Sequence, residues 1–207
     1  MKQCLFRIYS LALGVLAAGV AFAGSVAPAQ AALLSTSACD TSTLTQPFLH
    51  WGDANEYKLV PGGTFESGTP SWTLTGGATL TTGSEPYGAT GSVGSRSLYL
   101  PAGGSAQSPY TCVNAAYPLL RLFARNRSLL STVLVQLVYL NPLLGPTDIP
   151  VGVVALSGTW QPTLPMLTLS AVPGALNGGT AQVAVRFTAV LGASQIDDVF
   201  VDPRMSG

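Results

Sequence analysis

The residues that could support catalysis are few. His50 is the single histidine of the 207-residue chain, so any Ser-His-Asp triad would have to use it. No Gly-x-Ser-x-Gly sequence exposes a nucleophilic serine; in 91–94 the serine follows its glycine directly. A glycosidase-like carboxylate pair could be drawn from Glu56, Glu66 and Glu85, but nothing fixes the separation of these residues. We therefore predict that the protein is not an enzyme, with a hydrolase using His50 as the alternative.

An aspartate pair lies in the predicted last strand. In a regular strand Asp197 shares a face with Val199, whereas Asp198 shares the other face with Ile196 and Phe200. Both faces of this strand are therefore apolar. Whichever aspartate turns inward needs a cation or several hydrogen-bond donors, because an unpaired buried charge is costly. The alternative is that these acids cap turns or pair with arginines.

Aromatic residues are the candidates for a ligand platform, since flat Trp and Tyr rings stack on the CH groups of sugars. The candidates are Trp51, Trp72, Tyr87, Tyr99, Tyr110 and Trp160. Tyr87 lies beside Glu85 in the Gly- and Ser-rich loop 83–94, and binding residues concentrate in loops. We predict Tyr87, Glu85 and Trp160 as ligand-binding residues, although Trp160 could instead cover a sheet edge. Trp72 is predicted to be core packing.

The N-terminus predicts export. Two basic residues precede an uncharged stretch, 8–22, which has the length of a signal-peptide core and is too short to span a bilayer. Small residues place the cleavage after Ala31, with Ala23 as the alternative. Residues 1–31 are therefore predicted to be a signal peptide, and the mature protein is predicted to be secreted and extracellular.

Removal of the signal peptide would take Cys4 with it and leave two cysteines, Cys39 and Cys112. A residual pair in an oxidising compartment predicts a disulfide. Closing so long a loop would stabilise the fold by roughly 4 kcal/mol in the chain-entropy model. Two free thiols or a metal-binding pair are the alternatives.

The composition argues against several classes of partner. Only 9% of the residues are charged, and no run of basic residues occurs. This pattern disfavours nucleic acids and anionic membrane surfaces, and we predict no stable membrane insertion. Gly, Thr, Ser and Pro are abundant, which is typical of a neutral, hydroxyl-rich extracellular surface.

The chain after the signal peptide shows the pattern of short strands bounded by Gly or Pro. The predicted strands span 57–60, 72–75, 78–82, 97–100, 105–112, 119–124, 132–140, 149–156, 167–170, 182–190 and 195–201. Within 182–190, strict alternation predicts that Val183, Val185 and Phe187 face the core. No sustained helical period occurs, so the fold is predicted to be all-β.

Residues 56–203 are predicted to form one sandwich domain, since no repeat or linker interrupts them. Residues 32–55 are predicted to be an extended lead-in that docks on this domain. In the strand 119–124 and just beyond it, Arg121, Arg125 and Arg127 alternate with apolar residues, which predicts a solvated face.

Two motifs bracket the predicted domain. Near its start, Phe65-Glu66 follows a small-residue turn and precedes Trp72, and near its end stands Ile196-Asp197-Asp198-Val199. In these motifs the chain resembles carbohydrate-binding modules of the galactose-binding-like jelly-roll type. It also resembles a group of short secreted bacterial β-sandwich proteins. The landmarks of that resemblance are Gln46-Pro47-Phe48, Trp51-Gly52-Asp53, Phe123-Ala124-Arg125, Trp160-Gln161-Pro162 and the two motifs above.

The resemblance implies a jelly-roll β-sandwich whose first and last strands lie together. In such modules a glutamate after the Phe and an aspartate of the closing strand often hold a structural calcium ion. The resemblance therefore implies Ca²⁺ at Glu66, Asp197 and Asp198, because Ca²⁺ prefers six to eight oxygen ligands.

The resulting prediction is a secreted, non-catalytic β-sandwich that binds a carbohydrate or a cell-envelope glycan. A surface structural or protein-interaction domain is the alternative.

Overall fold

The computed structural model describes residues 43–69, 71–114, 119–141, 145–167 and 180–202. All the described residues belong to one compact unit, Ala31–Gly207. The predicted signal peptide and Cys39 lie outside the described residues, so export and the Cys39–Cys112 disulfide stay predictions. Within the described ranges, no helix is both long enough and apolar enough to cross a membrane.

The described chain consists mainly of strands, in which branched and aromatic side chains favour extended backbone. They are β1 (Lys58–Leu59), β2 (Thr73–Thr75), β3 (Thr79–Thr82), β4 (Arg96–Leu100), β5 (Ser105–Gln107), β6 (Thr111–Asn114), β7 (Leu119–Asn126), β8 (Thr132–Asn141), β9 (Gly145–Ala155), β10 (Gln161–Pro162), β11 (Met166–Leu167), β12 (Thr180–Leu191) and β13 (Ser194–Asp202). A 3-10 turn, Leu49–Trp51, precedes them.

The strands form two antiparallel sheets. The first sheet has the order β10-β7-β13-β4-β3, with β1 also paired to β13 and β11 to β7. The second sheet has the order β2-β5-β12-β8-β9, with β6 also paired to β12. Consecutive strands lie in different sheets at β1–β2, β2–β3, β4–β5, β6–β7, β7–β8, β9–β10, β11–β12 and β12–β13. The predicted all-β jelly-roll sandwich is therefore confirmed.

The main core lies between the two sheets. Strand β12 buries Val183, Val185 and Phe187 in it, as the alternation predicts. The Trp72 ring is parallel to that of Phe187, with 6.4 Å between centroids, and its Nε1–H donates to the carbonyl oxygen of Pro61 at 2.9 Å. The prediction that Trp72 packs in the core is also confirmed.

A second apolar cluster, which we call the outer cluster, covers the other face of the first sheet. Its buried members are Phe48, Tyr57, Phe123, Trp160 and Phe200. Phe48 stacks on Phe123 at 5.4 Å between centroids and meets Tyr57 edge-on at 5.1 Å. Because Phe48 and Tyr57 come from the N-terminal part of the described chain, that segment forms a third layer. The described part of the predicted lead-in, residues 43–55, contacts this sheet through Phe48.

Arg121 ties this third layer to the sheet. Its guanidinium lies 4.1 Å from the centre of the Phe48 ring, and its Nη1 donates to Asp53 Oδ2 at 2.6 Å. Nε donates to the carbonyl oxygen of Thr163 at 2.8 Å. Arg121 is only 4% exposed, so the prediction of a solvated arginine face is wrong at this position. The reason is that residues 43–57 cover the face.

Replacing Arg121 tests this attachment. We expect Arg121→Met to lower the free energy of unfolding by about 3 kcal/mol, because it leaves the largely buried Asp53 carboxylate without its ion-pair partner. Urea denaturation measures the change. Arg96→Met, at an exposed position, is the matched control and should change stability by less than about 0.5 kcal/mol. Equal effects of the two substitutions would contradict the assignment.

Candidate functional site

A β-bulge in β13 places the predicted aspartate pair. The register of β13 against β7 shifts between Asp197 and Phe200, and Asp198 has a left-handed φ of 44°, a conformation that aspartate tolerates better than most residues. As a result Ile196 and Val199 both face the core, although simple alternation puts them on opposite faces. Both aspartates are buried.

The buried carboxylates hold the start of loop 83–95. Asp197 Oδ2 accepts hydrogen bonds from Ser84 Oγ at 2.6 Å and from the Glu85 backbone N–H at 2.9 Å. Glu85, itself fully buried, accepts the backbone N–H groups of Tyr87 and Ala89. The loop is therefore fastened to β13 by side chains that lie beneath it.

These buried acids repel one another. Burial raises the pKa of Asp197 to about 7, although its hydrogen bonds to Ser84 and to the Glu85 backbone oppose the rise. Burial also raises the pKa of Asp198 to about 8, reinforced by the charges of Asp197 and Glu85 and by a hydrogen bond with the Glu85 carboxyl group. At neutral pH a proton or a cation between the carboxyl groups of Glu85, Asp197 and Asp198 is needed to offset their repulsion.

Glu66, the third predicted calcium ligand, has a different set of partners. Its Oε1 accepts the backbone N–H groups of Ser95 and Arg96, each at 2.7 Å, and its Oε2 accepts the Ser95 hydroxyl at 2.8 Å. Despite slight desolvation, these bonds lower the pKa of Glu66. A Cβ at Gly94 would collide with this carboxylate, so a larger residue there would displace the Glu66 side chain.

The fit to calcium is thus partial. All the side-chain donors are oxygens, as Ca²⁺ prefers, and the charge of Glu66 is felt at Asp198. In the part of the chain that the structure describes, however, no three His, Cys, Asp or Glu side chains meet in a metal-binding arrangement. Calcium stays a prediction, and no step below depends on it.

Trp51 and Tyr87 line a groove that is formed partly by loop 83–95. It has a volume of about 430 Å³ and is lined by Gln46, Pro47, His50, Trp51, Tyr87, Gly88 and Ala89. The Trp51 and Tyr87 rings are nearly perpendicular, at 87°, with 5.0 Å between centroids. Tyr87 is 45% exposed. Two aromatic walls therefore meet in an open groove.

Both rings are held from behind. Trp51 packs against Phe123 at 5.4 Å between centroids. The Tyr87 hydroxyl donates to the carbonyl oxygen of Trp160 at 2.9 Å, while its backbone N–H is bound by Glu85. The ring positions are thus fixed before a ligand arrives.

Of the three predicted ligand-binding residues, Tyr87 lies in the groove and the other two do not. Glu85 is buried under the loop, and Trp160 is buried in the outer cluster, where the Arg125 guanidinium covers its ring at 4.9 Å. Both nevertheless hold Tyr87 in place: Glu85 accepts the Tyr87 backbone N–H, and the carbonyl oxygen of Trp160 accepts the Tyr87 hydroxyl. Trp160 directly precedes β10, which pairs with β7.

Sequence reasoning named Trp51 only as one of six aromatic candidates, and it gave Gln46 and His50 no role in ligand binding. The landmarks Gln46-Pro47-Phe48 and Trp51-Gly52-Asp53 contain two of these three residues. His50 meets the Trp51 ring edge-on at 5.2 Å. Across the described ranges, no serine hydroxyl or carboxylate forms a hydrogen bond with His50.

No family model matches the chain, and no curated protein sequence matches it. Similar solved structures include the xylan-binding domain of a family 22 carbohydrate-binding module, 18% identical with a TM-score of 0.47, covering 73% of this chain and 96% of that one. A family 61 module in complex with β-1,4-galactotriose is 11% identical with a TM-score of 0.45, covering 70% and 98%.

A third structure contains modules of a Clostridium thermocellum endo-1,4-β-D-xylanase complexed with xylohexaose. It is 14% identical with a TM-score of 0.48, and the match covers 70% of this chain but 28% of that longer chain. These likenesses assign no ligand to this protein. The case for a function rests on the groove itself.

The buried acids predict how stability depends on pH. A carboxyl group with a raised pKa binds its proton more tightly in the folded chain, so its stabilising contribution is complete below about pH 4 and is lost as the pH rises through about 7 to 8. In EDTA, the free energy of unfolding should fall over this window by up to about 1.4 kcal/mol per pH unit for each group.

Asp198→Asn, which mimics the protonated acid, should flatten this fall in urea denaturation experiments. Asp148→Asn, at an exposed position, is the control and should keep the slope of the native chain. An unchanged slope in Asp198→Asn would contradict the assignment.

Proposed function

We propose that the protein is a non-catalytic binding module for a glycan, and that the glycan binds in the groove walled by Trp51 and Tyr87. The observation that carries this proposal is the perpendicular pair of supported rings at an open surface. One ring can stack on the apolar face of a sugar while the other closes the side of the groove.

The groove chemistry favours a neutral, hydroxyl-rich ligand. None of its seven lining residues carries a full charge when His50 is neutral. Gln46 donates its amide N–H to the carbonyl oxygen of Ala54 at 2.8 Å, which directs the amide group. The Gln46 amide and the His50 imidazole both offer polar atoms for sugar hydroxyls. A charged ligand would find no counter-charge among these residues.

Fixed walls favour binding because little conformational entropy is lost when the ligand arrives. Trp51 rests on the outer cluster, and Tyr87 is tied both to Trp160 and to Glu85. The described contacts of His50 include a ring contact but no acid or serine partner. These contacts support hydrogen bonding to a ligand as the role of His50, rather than general-base catalysis.

Secretion is part of this proposal. The predicted signal peptide, the neutral hydroxyl-rich composition and the predicted Cys39–Cys112 disulfide all support an extracellular location, where glycans of cell envelopes and of the environment are accessible.

The groove is tested by glycan binding. The native chain is screened on a glycan array that includes xylo- and galacto-oligosaccharides, and the best ligand is titrated by calorimetry. We expect Tyr87→Ala to weaken binding at least about tenfold, or roughly 1.4 kcal/mol, because it removes one wall. Tyr87→Phe keeps the ring and should have a smaller effect.

Tyr110→Ala, at a half-buried tyrosine outside the groove, is the matched control and should bind as the native chain does. Thermal melting verifies that each variant is folded. Failure of the native chain to bind any glycan, or an equal loss in Tyr110→Ala, would refute the proposal.

We also propose that Ca²⁺ binds at the acidic group of Glu66, Asp197 and Asp198. The raised pKa values of the two aspartates support a cation there, because its charge would relieve their repulsion. Glu66 would take part only if its carboxylate also kept or exchanged the three donors from Ser95 and Arg96.

Thermal melting of the EDTA-treated chain at about pH 8, with and without CaCl₂, tests this second proposal. Calcium should raise the melting temperature of the native chain and of Asp148→Asn, but not that of Asp198→Asn. A melting temperature unaffected by calcium would exclude the cation. It would leave the glycan proposal intact, since none of these acids lines the groove.

A further inference from the structure

Five turns meet at one end of the sandwich, which we call the turn end: residues 76–78, 101–104, 127–131, 156–159 and 190–193. Gly76 lies against the carbonyl oxygen of Gly103. Backbone hydrogen bonds at or directly beside the other turns link them: Gly103 N–H donates to Ala189 O at 2.8 Å, and Arg127 N–H donates to Ala193 O at 2.7 Å. Asn126 N–H donates to Ser157 O at 2.7 Å. All five turns lie wholly within the described ranges.

The turn end carries four strongly exposed aliphatic side chains. Leu129 is 94% exposed, Leu130 68%, Val190 53% and Leu191 51%. Single exposed apolar residues are ordinary on protein surfaces. Here, however, four of them lie in two adjoining segments, 129–130 and 190–191, and together form an apolar patch that we call the tip.

The tip is held rigidly. Ser128 Oγ accepts the backbone N–H of Ala193 at 2.9 Å, and the Ser131 hydroxyl donates to the carbonyl oxygen of Ala193. Gly192 has a φ of 61°, and a Cβ there would collide with the carbonyl oxygen of Leu130. These contacts hold the backbone on both sides of Leu129 and Leu130, whose side chains are exposed to solvent.

The charge of the turn end is distinctive. Arg127 is the one charged residue in the five turns, and no carboxylate lies among them. Exposed aliphatic side chains beside a lone cation match a lipid surface, where acyl chains lie just below phosphate groups. A bilayer can receive such side chains without a preformed pocket, whereas a protein partner would need one.

We propose that the turn end is a membrane-contact surface: Leu129 and Leu130 enter the interfacial region of a lipid bilayer, and Arg127 lies level with the lipid phosphates. The contact is peripheral and crosses no membrane. It is independent of the glycan groove, which shares no residue with the turn end.

The test measures the depth of a single position, because the apolar stretch 8–22 of the full chain could itself bind lipid. Full-length Leu129→Trp is mixed with phosphatidylcholine vesicles that contain brominated acyl chains, which quench nearby tryptophan fluorescence. The matched control is Val153→Trp, at a position that is also exposed, at 64%, but on β9 outside the turn end. The native chain supplies the background of its own tryptophans.

We expect at least twofold stronger quenching in Leu129→Trp than in Val153→Trp, with both variants melting near the native temperature. Equal quenching of the two, or none in either, would overturn the proposal. A second copy of the chain could cover this surface instead of a lipid bilayer. Sedimentation of the native chain and of the Leu129→Ser, Leu130→Ser double variant tests that alternative. A dimer that only the native chain forms, without selective quenching, would identify a second copy and likewise overturn the lipid contact.

Discussion

Three buried carboxyl groups, those of Glu85, Asp197 and Asp198, constrain the whole region around the candidate site. Buried charge is tolerated only when hydrogen bonds, protons or cations compensate for it. The donors available here are the backbone N–H groups and hydroxyl of the loop that follows β3, so the loop has to lie against β13. The position of Tyr87 follows from that requirement, because its backbone is among the donors.

The other wall of the groove depends on a second constraint. Arg121 is buried in a strand whose outer face would otherwise be exposed, and it pairs with Asp53 and stacks on Phe48. These contacts draw the N-terminal segment over the first sheet and bring Trp51 to the edge of Tyr87. The groove is therefore formed by two irregular segments, each fastened by charge to the same regular scaffold.

Much of the scaffold could be predicted from the sequence, since alternation in segments such as 182–190 directly encodes which side chains face the core. The β13 bulge could not be predicted in this way. Both faces of this strand carry apolar residues, so an inserted residue does not change the pattern of the sequence. The segment 105–112 was predicted as one strand but forms β5 and β6, separated around Pro109, which cannot donate to a ladder.

The site was harder to predict than the fold. Tyr87 was found because a glycine-rich loop exposes its residues, but the same argument wrongly suggested that Glu85 faces a ligand. Glu85 is buried beside Asp197 and Asp198, which lie more than a hundred residues away in the sequence. Gln46, His50 and Trp51 meet Tyr87 only through tertiary packing. The local sequence around each of these residues gives no information about that contact.

The central claim is that a glycan binds against Trp51. The chain has three tryptophans, and the structure places Trp51 in the groove while Trp72 and Trp160 are buried. The indole N–H resonances of ¹⁵N-labelled protein, followed during titration with the glycan selected by array, test the claim directly. The account predicts that the Trp51 resonance shifts while those of Trp72 and Trp160 stay in place. Binding that leaves the Trp51 resonance unmoved would contradict it.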